Sequence, residues 1–437
     1  MSWFGLTALL LLLVAVLGFA NHVWVGLPRT IALLAGALLV SVAIVAAEPW
    51  LPMVHLHEWW QDVVVGNDLP HVFLDGVLAF MLFAGAMHVD IAALRDAKWI
   101  VLTLATFGVL ASTALYGFGL YALFTAHIPL SWCFVLGSIL APTDPIAVSE
   151  LIRRVGLPAS LQAIIAGESL FNDGVAVVVF GICLSIATGS GTPDGIAIAG
   201  DFAKEALGGA TLGLLTGYVA YTAMRRVDEH NLELTISLAL VTGTYSLAHY
   251  LAVSGPIAVV VAGLLIGHRA ARYAWSERTR TNVTTFWELI DQLLNAILFL
   301  VLGFTLLALE DANTSAVLVA GGVALAVLVR LVSVGLPVVF AGLPLLRMAR
   351  GVAVLTWGGL RGGISIALAL TLPPSAYRSD LLTLCYAVVV FTILAQGLTM
   401  PWLIRRLYGA SVEESNEDGH QPQHQVHADQ LADRVER

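Results

Sequence analysis

The run WCFVLGSILAPTDPIAVSELI, Trp132 to Ile152, is greasy helix at both ends and something else in the middle. Pro142 and Pro145 have no amide hydrogen, so the carbonyls of Ser138 and Ala141, which would accept from those positions in a regular helix, lose their donors. Asp144, immediately before Pro145, is pushed away from helical geometry. In hydrocarbon an unpaired carbonyl costs several kcal/mol, so broken backbone of this kind survives only where protein, water or a ligand satisfies it. One reading is a kink whose Asp144 bonds a neighbouring helix. The other is a set of oxygens, with the Thr143 hydroxyl and the Asp144 carboxylate, that suits a hard cation such as Na⁺.

The rest of the chain makes that setting a membrane. Of 437 residues 58% are hydrophobic and only 12% charged, against about 45–50% and 25% in soluble domains. Apolar runs of about 20 residues, enough to cross a hydrocarbon core of roughly 30 Å, recur along nearly the whole length. They predict an all-α polytopic membrane protein of about thirteen transmembrane helices, near residues 4–20, 27–47, 70–89, 97–125, 129–152, 160–187, 201–224, 231–252, 256–269, 284–309, 314–342, 349–371 and 379–407. The first run has no basic residue before it, so it is expected to be a retained span rather than a signal peptide. Residues 1–408 are expected to form one transmembrane domain, and 409–437 a cytoplasmic, disordered tail that holds much of the net charge of −9 as solvating acid. Cys133, Cys183 and Cys385 lie singly in apolar runs, which indicates neither a disulfide framework nor a thiolate metal site. No cofactor and no nucleic-acid partner is expected.

Lys and Arg gather in cytoplasmic loops. In this arrangement fifteen of them, from Arg29, Arg95 and Lys98 through to Arg405 and Arg406, share one side, and Arg378 alone lies in a loop on the other. The N-terminus is therefore expected outside and the C-terminus in the cytoplasm. Lys204 is near enough to a span end to snorkel to the interface. Arg330 and Arg361 are deeper and need partners, and Arg330 is expected to find an acidic or carbonyl one.

Thirteen spans divide as six, a linker and six, and helices seven apart run in opposite directions, the arithmetic of inverted six-helix repeats. The fifth span holds APTDP, and the twelfth holds TWGGLRGGIS, Thr356 to Ser365. Both are interrupted, and two broken helices crossing near the midplane mark a transporter's binding site. The sixth span holds GESLFNDGVAVVVF, Gly167 to Phe180. Glu168 and Asn172 are four apart, as are Ser169 and Asp173, so they stack as adjacent columns on one helix. Ionisable residues at bilayer depth cost about 2.5–3.5 kcal/mol each on insertion scales, which makes function the default reading of Asp144, Glu168, Asp173 and Arg361. Glu168 is expected to pair with Arg361, because a buried charge needs a counter-charge. A carboxylate shielded from water holds either a proton or a cation. If that group is Asp173, in a site open alternately to each side, competition alone yields exchange. Asn172 adds polarity without a second charge, consistent with one proton per monovalent ion.

At PTDP (142–145), GESLFNDG (167–174) and GGLRGG (358–363) the chain resembles the cation:proton antiporter family, in particular its NhaP-like sodium/proton antiporters. The resemblance implies ion- and proton-binding roles for Asp173, Asp144, Thr143 and Ser169, which together would hold the monovalent cation, and a structural salt bridge between Glu168 and Arg361 with Asn172 nearby. It also implies electroneutral exchange of Na⁺, with Li⁺ and K⁺ as alternatives, for H⁺ by alternating access, and a homodimer with a moving core bundle and a dimerisation bundle. One departure is Ala84, where the family often carries a glutamate after LF, so a ligand or gate carboxylate on the third span is absent, or replaced by Asp75 more than two turns earlier. A monovalent cation channel would use similar oxygens without a titrating acid. An intramembrane aspartyl protease would also place Asp144 and Asp173 on adjacent helices, but the GxGD signature expected of one is missing.

Overall fold

The structure, a computed structural model, describes residues 2–48, 59–60, 63, 68–124, 127–144, 157, 159–191, 195–227, 229–270, 275–309, 314–340 and 345–419. Among them there is helix and no strand, and each of the thirteen apolar segments contains helix. Eight helices are by themselves long and apolar enough to cross a bilayer, and Leu130–Ile139 and Gly255–Arg269 are shorter apolar ones. Pro145, Arg153, Arg154, Asp62, Asp194, Arg272, Glu310, Asp311 and the tail histidines lie outside the described residues.

Two groups of helices pack side by side. The first contains α1 (Trp3–Val25), α2 (Arg29–Ala47), α3 (Leu69–His88), α7 (Gly195–Met224), α8 (His230–Tyr250), α9 (Gly255–Arg269) and α10 (Glu277–Phe304). Its tightest seam is α7 on α9, where a Cβ at Gly213 would run into the Ala258 carbonyl and backbone meets backbone, as small residues permit between membrane helices. The second group contains α4 (Ile91–Leu123), α5 (Leu130–Ile139), α6 (Ala159–Ala187), α11 (Ala316–Phe340), α12 (Leu345–Trp357), α13 (Gly363–Leu370) and α14 (Arg378–Tyr408). Here α5 sits against α4 and α6, and α11 bridges α4, α12 and α14. The helix that contains α14's last turns continues to Gly419, past the boundary expected at residue 408.

The two expected interruptions are present. Helix α5 ends at Ile139, and 141–144 carry no helical assignment; α12 ends at Trp357, and α13 begins at Gly363. The breaks meet, because the Asp144 amide donates to the Leu360 carbonyl at 2.8 Å. Each interruption thus satisfies one of the other's stranded backbone groups, as a membrane interior requires. Trp99 is 73% exposed, whereas Trp60 is buried against Phe304 with ring centroids 5.3 Å apart.

Candidate functional site

The site forms where α6 passes the two breaks. On α6 the two columns read from the sequence are intact, and Glu168, Ser169, Asn172 and Asp173 are all buried, as are Thr143 and Asp144 on the α5 break. The Asn172 amide donates to the Thr143 hydroxyl at 2.9 Å, and Thr143 lies 3.1 Å from the Ser169 hydroxyl. Side chains 26 and 29 residues apart are thereby joined into one polar cluster. The Asp144 and Asp173 carboxylates stand within electrostatic reach of each other. Asp144, Thr143, Ser169 and Asp173 are therefore brought together as expected.

The expected partnership of Glu168 is corrected. Glu168 is bound by Arg330 of α11, not by Arg361: Arg330 Nη1 lies 2.5 Å from Oε1 and Nη2 3.0 Å from Oε2, a bidentate fork. Nε and Nη2 of Arg330 also donate to the Leu355 carbonyl at 3.3 and 3.2 Å. Arg330 thus meets both an acid and a carbonyl, and ties α11 to α6 and α12 at once. The geometric reason is the guanidinium's planar set of donors, which matches a carboxylate two atoms at a time.

Arg361 does something else. Its Nη1 donates to the carbonyls of Ala141 at 2.7 Å and Pro142 at 2.9 Å. The Ala141 oxygen, freed by the prolines and expected to face a cation, is occupied by a tethered one. The Ser138 carbonyl accepts from the Ala141 amide at 3.3 Å. A guanidinium at this point also opposes the negative end of the α5 dipole. The Arg361 amide donates to the Thr392 hydroxyl at 3.1 Å, so α14 fixes the residue's backbone. Sequence reading missed Thr392, Leu355 and Leu360, two of which act through backbone oxygens that no side-chain pattern reveals. The Arg330 partnership had a signal, since Arg330 is a second deep cation, but spacing alone could not say which arginine faces Glu168.

The glycines of GGLRGG make room. A Cβ on Gly359 would strike the Arg330 guanidinium, and one on Gly362 would strike the Asp144 carboxylate. The motif lets one strand of unwound backbone slip between the structural pair and the carboxylate site. Asp75, the remaining acid of the third span, accepts from the Tyr245 hydroxyl at 3.3 Å, while Ala84 is buried among α3's neighbours. Neither belongs to the cluster on α6 and the α5 break.

Among the described residues no group of three His, Cys, Asp or Glu side chains could hold a metal ion by their own clustering. The donor set is instead two carboxylates and two hydroxyls.

Residues 9–406 match the family described as sodium/hydrogen exchanger, transmembrane. The chain is 41% identical over 426 residues to the Na⁺/H⁺ antiporter NhaP of Pseudomonas aeruginosa, covering 95% of this chain and 99% of that one. It is 34% identical over 337 residues to the Na⁺/H⁺ antiporter NhaH of Halobacillus dabanensis, covering 76% and 81%. The fold matches the solved structure of the sodium proton antiporter MjNhaP1 from Methanocaldococcus jannaschii with a TM-score of 0.75 at 19% identity, over 93% of this chain and 98% of that chain. With its two breaks joined beside a buried carboxylate cluster, the chain belongs to the sodium/hydrogen exchanger family, a family of multi-pass transporters and not of enzymes.

Proposed function

We propose that this protein exchanges Na⁺ for H⁺, one for one, with the two competing for Asp173. The reading is supported most directly by the charge balance of the site. Among the described residues of the site, three buried carboxylates, Asp144, Glu168 and Asp173, stand against two buried guanidiniums, Arg330 and Arg361. Glu168 is committed to Arg330, and Arg361 is committed to the α5 break beside Asp144. One negative charge is left over, and a single proton or a single monovalent cation cancels it. Burying net charge is costly, so the cluster is stable in transit with either guest and disfavoured empty. That condition couples the two flows and makes the cycle electroneutral.

In this scheme Asp173 and Asp144 supply carboxylate oxygens, and Thr143 and Ser169 supply hydroxyl oxygens, to the dehydrated ion. Asn172 holds Thr143 in place. Arg361 keeps the broken backbone closed on itself, so the ion meets side chains rather than stray carbonyls. The group of helices that holds α5, α6, α12 and α13 moves against the other to open the site to each side in turn. The face carrying the basic loops is cytoplasmic, the N-terminus is outside, and the protein works in the cell membrane as a homodimer.

The test is proton flux in everted vesicles on adding Na⁺, Li⁺ or K⁺. Wild type should release protons with Na⁺ and do so without net charge movement. An Asp173→Asn protein that still couples ion entry to proton exit would remove Asp173 from its role.

A further inference from the structure

Helix α10 carries an unusual face. Glu288, Asp291, Asn295 and Leu298 are spaced by three, four and three residues, and at 100° per residue they fall within an arc of about 80°. Leu298, the end of this row, points at the interrupted helix: a Cβ on Gly363 would collide with it. Helix α13, which Gly363 begins, touches α10, α5 and α6. The row therefore descends from the Glu277 end of α10 toward the site, over about 15 Å at 1.5 Å per residue, half the thickness of a hydrocarbon core. There it stops against an apolar plug. Phe73, Leu78, Met81, Leu298 and Ile364 close around a void of about 10 Å³, about the smallest that holds one water.

The polar members of the row are arranged for a cation. Glu288 is 55% exposed and is met by His88 Nε2 of α3 at 3.6 Å, which makes it the open end of the row. About two turns further along α10, Asn295 donates its Nδ2 to both the carbonyl and the carboxylate of Asp291, at 2.8 and 3.0 Å. Those two acceptors fix which way the amide points. Its Oδ1 is left as a buried acceptor without a partner, on a residue only 1% exposed. A buried acceptor in that state costs about 1–3 kcal/mol. It sits beside a carboxylate that its own amide nitrogen holds, which gives one charged and one neutral oxygen donor side by side, at the depth where an ion leaving water would first be dehydrated.

We propose that Asp291 and Asn295, with Glu288 at the entrance, form a second and weaker monovalent-cation station, through which the transported ion passes between the basic-loop side and the Asp144–Asp173 pocket. This rests on the exchange reading above and adds the route. The station serves one side only, because the Leu298 plug separates it from the other.

The test is sided transport in oriented proteoliposomes, with Na⁺ varied on one face at a time. Asp291→Asn and Asn295→Leu should raise the KM for Na⁺ from the basic-loop face roughly five- to tenfold, the loss expected for one ion contact, while kcat and the opposite-face KM stay near wild type. Glu288→Gln, on an exposed position, should give a smaller rise that vanishes at high ionic strength. A second readout uses ²²Na⁺ binding to detergent-purified Asp173→Asn protein, which should retain weak binding that Asn295→Leu abolishes. Equal KM changes at both faces, or residual binding indifferent to Asn295, would overturn the station. Loss of transport in Asp173→Asn together with unaltered KM values in both α10 variants would overturn it as well, while leaving the exchange reading standing.

Discussion

Two buried ionic assemblies meet helix α6 at Glu168 and Asp173, and they are built for opposite purposes. At Glu168 every strong valence is used: a bidentate guanidinium, itself anchored to the Leu355 carbonyl, cancels the charge. At Asp173 and Asp144 two acids share an environment in which the Arg361 guanidinium donates to backbone carbonyls. A closed ion pair has nothing to gain from a visiting cation. A cluster with one surplus charge has. Position along the helix decides which fate a carboxylate meets, because five residues turn the chain by a net angle of about 140° and so Glu168 and Asp173 face different neighbours.

The sharpest way to break this contrast is to neutralise one member of each assembly and compare. Asp173→Asn should abolish cation-driven proton flux while leaving thermal stability in detergent unchanged or improved, since it removes a buried charge that had no closed partner; a marked fall in melting temperature would erase the distinction. Glu168→Ala or Arg330→Ala should do the reverse and cost about 3–5 kcal/mol of stability by stranding the other charge. The double replacement Glu168→Leu with Arg330→Met should recover most of that loss, read as a coupling energy in a double-mutant cycle. Additive losses would show that the pair does not act as a unit.

Glycines separate the two assemblies more finely. Gly362→Ala pushes on Asp144 and should depress transport more than stability, whereas Gly359→Ala pushes on Arg330 and should cost about 1–3 kcal/mol as overpacking. Flux and unfolding measured on both proteins would expose any crossing of these effects. The smallest change is expected from Thr143→Ala, which removes one neutral oxygen and the anchor of Asn172. Its KM for Na⁺ should rise roughly fivefold, in keeping with about 1 kcal/mol for a neutral contact, with kcat largely kept. An unchanged KM would place Thr143 outside the ion's shell.

Much of this was legible in the chain. Apolar run length gave the helices, because a bilayer accepts few other structures. Pro142 gave the break in α5, since a missing amide hydrogen is a local fact. The spacing of Glu168, Ser169, Asn172 and Asp173 gave the shared face of α6, since helical geometry repeats. The fate of the liberated oxygens was not legible. Composition said that Ala141 would need a donor, but only the packing of α13's leading loop against α5 supplied Arg361 rather than an ion. Nor could the Gly359 and Gly362 roles be read, since a glycine's reason lies in the atom that approaches it.

By itself, then, the sequence determined an all-helical membrane chain, the places where two helices must fail, and the carboxylates that a membrane would not carry idly. Local rules suffice for these, because each follows from bonds within a few residues or from the solvent outside. Tertiary structure alone decided that Glu168 belongs to Arg330 and that Arg361 closes the α5 break. Those outcomes depend on which of several chemically equivalent partners arrives within 3 Å, and electrostatic energy in a dry interior varies too steeply with distance for composition to settle it.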